Sequence, residues 1–359
     1  MSSAALAYSL ILYCRPGFEN ECAAEASALA GRRGISGFAK TTPQSGYVHY
    51  VLHDAVNWLD LAEALPFNDW VFPRQRVIGV GRIDDLPERD RVTPIADAVA
   101  ELGLRVGRVW GETADTNDAK ELSGFIRRFS PHLEKALTRQ GSLKPRHDDW
   151  PTLHLFFRSA SSVDIGLTLP HDASPWPMGI ARLRMPRAAP SRSTLKLAEA
   201  FMALMSREEQ QSTLRAGLKA VDLGAAPGGW TLQFAERGLH VTAVDNGPIA
   251  DSVLDTGMVE HVRADGFAWR PQRRVEWMVC DMVEQPSRVA QLVADWVATG
   301  RCQRSIFNLK LPMKKRWEEI ERCRKLIDQR MRLHDDKYVL RMKHLYHDRE
   351  EITAYLARV

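Results

Sequence analysis

The sequence predicts an α/β protein: a mostly parallel sheet with helices on both faces over residues 191–359, preceded by two small α+β units. Three observations carry this expectation. From Ser193 onward, strands and helices alternate, the order that builds parallel sheets. Residues Asp222 to Leu232 read DLGAAPGGWTL, in which a buried strand, a glycine-rich turn and a helix start follow one another directly. Residues 8–75 read strand, helix, strand, strand, helix, strand, the ferredoxin-like order. At 359 residues the chain also exceeds a comfortable single core.

The first unit, residues 1–75, takes SLILYCR as a strand, ENECAAEASALAG as a helix, SGFAKTT and GYVHYVL as strands, AVNWLDLAEAL as a helix and a strand near VFPRQRVIGV. The aromatic signature of RNA-reading sheets is missing from it, so a supporting role is expected. Residues 76–168 supply VIGVGRI, the helix TPIADAVAELGL, the strand VWGETAD, the long helix DAKELSGFIRRFSPHLEKALTRQG, and HLFFRS with SVDIGLTL as a strand pair. Five prolines between Pro170 and Pro190 make residues 169–190 a linker. The final unit ends with the strand VEWMVCDM, the helix RVAQLVADWVATG, the strand RSIFNLKL, a further helix, and YVLRMKHL and ITAYLAR around a polar turn. That hairpin would add an antiparallel edge, and ligands in such sheets bind at the carboxyl ends of the strands.

Five cysteines (Cys14, Cys22, Cys280, Cys302 and Cys323) are odd in number and show neither a CxxC pair nor zinc spacing, which suits a reducing cytoplasm and predicts no metal. The opening MSSAALAYSLILYC is apolar, but no basic residue precedes it and no run reaches membrane-spanning length, so it reads as a first strand. Net charge is +4, yet residues 301–359 carry 16 Lys or Arg against 9 Asp or Glu. Most of that excess lies on a solvated helix with interleaved acids. Lys314, Lys315 and Arg316, just after a strand, suit phosphate contacts.

The glycine loop excludes the commoner nucleotide motifs. A dinucleotide fingerprint needs glycine at the first, third and sixth positions, whereas Gly224 is followed two residues later by Ala226; a P-loop needs Gly-Lys before Ser or Thr. Gly228 and Gly229 would let backbone approach a ligand closely. The strand LHVTAVDN ends in Asp245, placed to accept from both ribose hydroxyls of a nucleoside, and VRADGF puts Asp265 near an adenine amino group. A nucleoside site without a phosphate cradle indicates S-adenosylmethionine.

Lys196, Asp281, Lys310 and Glu351 fall at element boundaries where their side chains can converge. Methyl transfer to a hydroxyl needs its proton removed as oxygen attacks. A lysine serves only when neutral, and lowering it from about 10.4 to about 7 takes about 4 to 5 kcal/mol. Lys196 is expected to supply the cation that lowers Lys310, with Asp281 and Glu351 holding the two amines. Glu350 stays open beside Glu351, because a one-residue slip reverses the strand face. The Asn- or Asp-Pro-Pro-aromatic mark of amine methylation is absent, since that place reads DMVEQP. Cys280 lies in an apolar strand run and reads as a packed core cysteine, not the nucleophile of pyrimidine carbon-5 chemistry. His344 and His347 flank the final turn as structural or RNA-facing groups, not metal ligands.

The stretches PSRSTLKL, DLGAAPGGW, VCDM, FNLKLPMKKR and HDREEITAYL resemble, in order and spacing over about residues 187–359, the FtsJ family of ribosomal RNA 2'-O-ribose methyltransferases. The whole chain is similar to the RlmM-type members of that family. The resemblance implies a Rossmann-like class I methyltransferase sheet with an antiparallel last strand over residues 191–359, behind a ferredoxin-like domain and a THUMP RNA-binding domain (residues 76–168). It implies Lys310 as proton acceptor, with Lys196, Asp281 and Glu351 completing a Lys-Asp-Lys-Glu tetrad. Cofactor contacts would come from Ser193, Ala226, Pro227, Gly228, Gly229, Asp245, Asp265 and Asp281. The implied substrate is cytidine 2498 of 23S ribosomal RNA, naked or in a large-subunit assembly intermediate. It would lie along Arg182, Arg184, Arg187, Lys314, Lys315 and Arg316 on a cytoplasmic monomer. Two other readings stay open: methylation of a small-molecule or protein hydroxyl, and a non-catalytic RNA-binding assembly factor.

Overall fold

A computed structural model describes residues 5–334 and 337–359, so the first four residues of the opening strand segment lie outside the described residues. The chain divides into two units, Met1–Ile180 and Ala181–Val359. In the first, β1 (Leu6–Tyr13), α1 (Glu19–Arg32), β2 (Gly37–Thr41), β3 (Tyr47–Asn57), α2 (Trp58–Ala64) and β4 (Gln75–Ile83) follow the βαββαβ order. Then come α3 (Val92–Glu101), β5 (Arg108–Glu112), α4 (Lys120–Arg139), β6 (Thr152–Ser159) and β7 (Ser162–Thr168). All seven strands form one sheet in the order β2-β3-β1-β4-β7-β6-β5.

One strand joins what the sequence divides at residue 75. β4 pairs with β1 through Gln75–Gly79 and with β7 through Ile78–Ile83. A second departure is the start of α2, expected at AVN. β3 runs on to Asn57, whose side chain accepts the Leu59 N–H at 2.8 Å and so caps a helix that begins at Trp58. The long helix α4 buries Ile126, Phe129, Leu133 and Leu137, the spacing of one helical face. Glu25 on α1 is fully buried because its carboxylate accepts the N–H groups of Val71 and Phe72, which anchors the approach to β4.

The second unit contains α5 (Ser193–Leu204), α6 (Arg207–Thr213), β8 (Lys219–Leu223), α7 (Gly229–Ala235), β9 (His240–Val244), α8 (Asp251–Leu254) and β10 (Val259–Val262). β11 (Val275–Cys280), α9 (Pro286–Ala298), β12 (Cys302–Lys310), α10 (Arg316–Arg332), β13 (Tyr338–Lys343) and β14 (Glu351–Arg358) complete it. The sheet order is β10-β9-β8-β11-β12-β14-β13, a Rossmann-like class I methyltransferase arrangement in which the last strand is antiparallel. Its order reverses between β8 and β11, the place where ligands bind in open α/β sheets.

The closing hairpin adds the expected antiparallel edge, with β14 on the inside: it inserts between β12 and β13, antiparallel to both, and β13 is the outermost strand. Composition explains this: β14 is buried from Glu351 to Ala357, whereas β13 is half-exposed over its first four residues and carries Arg341. The core on one side packs Phe201, Phe234, Trp277 and Tyr355 edge-to-face or tilted, with ring centroids 5.5–6.2 Å apart. No helix among the described residues is long and apolar enough to cross a membrane.

Candidate active site

Three strand ends and one helix bring the four ionisable side chains together. Lys310 is the last residue of β12 and lies opposite Glu351, the first of β14, so both point to one face of the sheet. Asp281 follows β11, the neighbour of β12 on its other side, and Lys196 sits in the first turn of α5. Lys310 Nζ lies 2.5 Å from Asp281 Oδ1 and contacts Glu351 Oε2. Lys196 Nζ contacts Glu351 Oε1 and lies 3.7 Å from Asp281 Oδ2. Each amine therefore meets both carboxylates, and two positive charges balance two negative ones. Side-chain exposure is 23% for Lys310 and 6% for Glu351, so the cluster is sheltered but reachable.

Glu350 takes no part in this arrangement. Its side chain accepts from Arg316 at 2.5 Å and is 61% exposed. Register decides between the two glutamates, since adjacent strand residues face opposite sides.

The electrostatics differ from the sequence expectation for Lys310. Burial acts to lower its pKa, but the adjoining carboxylates of Asp281 and Glu351 outweigh it and hold the amine above its ordinary value. Lys196 does not depress Lys310 because it reaches the same carboxylates from the other side, leaving an anion between the cations. For Glu351 burial acts upward, and the charges of Lys310 and Lys196 overcome it and lower the carboxyl. As it stands, Lys310 is an ammonium.

The glycine loop adjoins this cluster. Gly224 and Gly228 take positive φ of 79° and 107°, and a Cβ on Gly224 would lie 2.6 Å from Met282 Cγ, so both positions need glycine. A Cβ on Gly229 would lie 2.2 Å from Ser193 Oγ, which sets the start of α5 against the loop. Ser193 Oγ also bonds Ser191 Oγ at 2.6 Å. The Ala226–Pro227 peptide is cis. Asp245, just past β9, accepts the Ala226 N–H at 3.0 Å and the Gly247 N–H at 2.7 Å, which fixes the turn and leaves lone pairs on both oxygens for ribose hydroxyls. Asp265 is exposed and accepts the Phe267 N–H at 2.9 Å.

Asp222, near the end of β8, is a site residue that the sequence pattern does not mark. It is 1% exposed, and Thr231 Oγ1 donates to its Oδ2 at 2.7 Å. Its Oδ1 has no hydrogen-bond partner among the described residues. Burial pushes the carboxyl up to about 7, with Asp281 and Asp245 adding to the rise. An orphaned buried acceptor beside a glycine turn, with Asp245 on the next strand, fits a cationic nucleoside cofactor.

Comparison with known proteins agrees with this geometry. Residues 8–77 match the RlmM ferredoxin-like domain, residues 90–169 the N-terminal region of ribosomal RNA large subunit methyltransferase M, and residues 189–310 the FtsJ-like methyltransferase family. Ribosomal RNA large subunit methyltransferase M of Aromatoleum aromaticum is 57% identical over 98% of this chain and 95% of its own length. The proteins of that name from Azoarcus sp. and Thauera aminoaromatica are 55% and 54% identical, over 97% and 99% of this chain and 95% and 97% of their own lengths. The chain belongs to the ribosomal RNA large subunit methyltransferase M family. It is a methyltransferase, and the paired lysines and carboxylates lie at the mouth of its FtsJ-like sheet.

Behind the tetrad runs a hydrogen-bonded line that sequence reasoning did not find. Asn308 and Thr353 face each other one rung below Lys310 and Glu351 on the same side of the sheet. Asn308 Nδ2 donates to Asp281 Oδ1 at 2.9 Å, and Thr353 Oγ1 donates to Asn308 Oδ1 at 2.7 Å. Thr353 Oγ1 also lies 3.0 and 2.9 Å from the two oxygens of Asp348. Burial, reinforced by Glu351, holds the Asp348 carboxyl well above its ordinary value. A protonated Asp348 can donate to Thr353, which frees the single Thr353 proton for Asn308 and leaves the Asn308 amide to grip Asp281.

The other sequence candidates divide. Arg182, Arg184, Arg187, Lys314 and Lys315 are exposed, whereas Arg316 is engaged by Glu350 and by the Pro312 carbonyl. Cys280 is fully buried and burial pushes its thiol up to about 12, the behaviour of a core cysteine. His344 Nε2 lies 2.9 Å from the Arg349 carbonyl and His347 Nδ1 2.6 Å from Glu199, so both brace the turn before β14. No cluster suited to a metal ion occurs among the described residues.

Proposed function

We propose that this protein transfers the methyl group of S-adenosylmethionine to the 2'-hydroxyl of a cytidine in 23S ribosomal RNA, as a cytoplasmic monomer acting on large-subunit RNA or its assembly intermediate. The observation that carries the reading is the convergence of Lys196, Asp281, Lys310 and Glu351 beside the glycine loop. The relatives named above are large-subunit ribosomal RNA methyltransferases by name, and the tetrad suits a hydroxyl acceptor, which needs a proton acceptor that an amine does not.

Asp245 would hold the ribose of the cofactor, Asp265 its adenine edge, and Ser193, Ala226, Pro227, Gly228, Gly229, Asp222 and Asp281 the remainder of the site. S-adenosylmethionine supplies a methyl on a positively charged sulfur, a charge that also opposes retention of the proton on Lys310. With the cofactor bound, Lys310 would first release its ammonium proton to solvent and then, as the neutral amine, would accept the hydroxyl proton as the ribose oxygen takes the methyl group. Lys196 stays in contact with both Glu351 and Asp281 while Lys310 is neutral, and the positive sulfur of the cofactor would offset the remaining negative charge. Asn308 holds Asp281 against swinging away.

The exposed cations Arg182, Arg184, Arg187, Lys314 and Lys315, with Arg316, would contact phosphates and present an unpaired nucleotide. Residues 1–75 would act as a ferredoxin-like domain, residues 76–168 as a THUMP RNA-binding domain and residues 169–190 as their link to the catalytic unit. The test is radiolabelled methyl transfer to unmodified 23S ribosomal RNA, with nuclease digestion to locate the product. A 2'-O-methylcytidine is expected. Transfer to small alcohols or proteins but not to RNA would contradict the proposal.

A further inference from the structure

The first unit carries a cavity of about 520 Å³ on its sheet. Along β3, Val48, Tyr50 and Leu52 are buried, while Tyr47, His49 and Val51 alternate with them and line the cavity. Across the strands, Lys40 faces His49 and Arg82 faces Asp164, so these pairs share that side. Two bulges border it. One in β1 shifts the register between Ala7 and Ser9, and Tyr8 at that shift is 52% exposed; the other lies in β4 between Gly79 and Gly81. Bulges re-aim side chains and are common beside functional sites. At Gly79 the missing side chain leaves the floor open, since a Cβ there would lie 2.3 Å from Ser9 Oγ.

The lining is cationic. Arg158 Nε lies 2.9 Å from Asp164 Oδ2, and the half-exposed Arg82 pairs with Asp84 at 2.8 Å, so each guanidinium sits beside a carboxylate. Lys40 is exposed at the rim. His49 is pushed down to about 4, chiefly by burial and further by the charges of Arg158, Arg82 and Lys40. His49 Nε2 meets Ser9 Oγ at 3.1 Å, which leaves Nδ1 as the ring atom open to a base edge. Aromatic rings with cations at the rim are the features that bind single-stranded nucleic acid through stacking and phosphate contact.

We propose that this cavity binds an unpaired nucleotide of the RNA substrate, with its base against Tyr8 and Tyr47 and its phosphate on Lys40. The proposal rests on RNA being the substrate, as argued above, and gives the sheet of the first unit a recognition role in place of a purely supporting one.

The test uses the full-length protein and unmodified 23S RNA, comparing Lys40→Glu and Tyr8→Ala with Lys325→Glu, a charge-matched change at an exposed position of α10. Lys40→Glu is expected to raise the KM for RNA about tenfold, with kcat and S-adenosylmethionine affinity unchanged, and to reduce the salt slope of RNA binding by about 1. Tyr8→Ala should raise the KM at least about fivefold through lost stacking, and Lys325→Glu should stay within about twofold of wild type. Equal effects of Lys40→Glu and Lys325→Glu, or an unchanged KM in Tyr8→Ala, would overturn the cavity's role while leaving methylation of RNA in place. A wild-type protein that does not methylate RNA would instead overturn the proposed function, and this inference with it.

Discussion

In the first unit, Glu112 accepts from Tyr13 Oη at 2.9 Å, from the Met178 N–H at 2.5 Å and lies 2.7 Å from His154 Nδ1, whose other ring nitrogen meets Thr168 at 2.9 Å. In the second, Asp281 and Glu351 sit between Lys196 and Lys310. Both clusters place carboxylates on a sheet among hydrogen-bond donors, and in the first burial and then Glu112 push the Tyr13 hydroxyl well above its ordinary value. They differ in access and in balance. Glu112, His154 and Tyr13 are at most 3% exposed, and each carboxylate oxygen of Glu112 has a partner. The tetrad lies at strand ends, and its two lysine side chains are 17% and 23% exposed, next to a loop opened by glycine. A satisfied and sealed network holds a fold together; a charge-balanced one at a strand mouth can pass a proton.

That contrast predicts opposite outcomes for mutations. The largest effect should come from Lys310→Ala, which should lower single-turnover methyl transfer by about a thousandfold while RNA and S-adenosylmethionine affinities change less than about threefold. Activity within tenfold of wild type would place proton removal elsewhere. Glu112→Ala should do the reverse. Leaving Tyr13, His154 and the Met178 amide without their acceptor should cost about 3 kcal/mol in urea unfolding, with kcat unchanged at temperatures where the variant is folded. A loss of kcat without loss of stability would make the two clusters alike.

Asp222 sharpens the comparison because it is sealed like Glu112 yet belongs to the catalytic unit. Its folded pKa of about 7 lies above the unfolded value of about 3.9, so the folded state holds the extra proton between them. Stability from this group therefore falls as pH rises from about 4 to about 7 and then levels off. Asp222→Asn should remove that slope, making the cofactor-free variant more stable relative to wild type at pH 8 than at pH 5 by about 2 kcal/mol, and should weaken S-adenosylmethionine binding in calorimetry. Parallel pH–stability curves would show that the carboxyl is not held neutral. The smallest effect is expected for Asn308→Ala, about a tenfold lower kcat with unchanged KM for RNA, partly recovered in Asn308→Gln. An unchanged kcat would show that Asp281 needs no such brace.

Much of this contrast was legible in the sequence, and the unread parts share a cause. The four tetrad residues mark element boundaries that hydrophobic pattern locates, and the glycine loop announces itself by composition. Whether Glu350 or Glu351 completes the tetrad depended on strand register, as did the pairing of Asn308 with Thr353. Asp222 was hidden by its place inside an apolar strand run, where only the orphaned oxygen reveals a purpose. The sign of the Lys310 shift depended on direct contact with two carboxylates, a distance that no spacing gives. The cavity of the first unit draws on six strands, so no local motif could announce it. The capping box of α6, Ser206 with Glu209, was by contrast readable from the S-x-x-E spacing and was missed.

The most direct test of the central claim, that the tetrad methylates a ribose hydroxyl, is mass-spectrometric mapping of 23S ribosomal RNA from cells lacking this protein and complemented with wild type or Lys310→Ala. One 2'-O-methylcytidine should disappear in the deletion, return with wild type and stay absent with Lys310→Ala. An unchanged methylation map in the deletion, or full restoration by Lys310→Ala, would contradict the account.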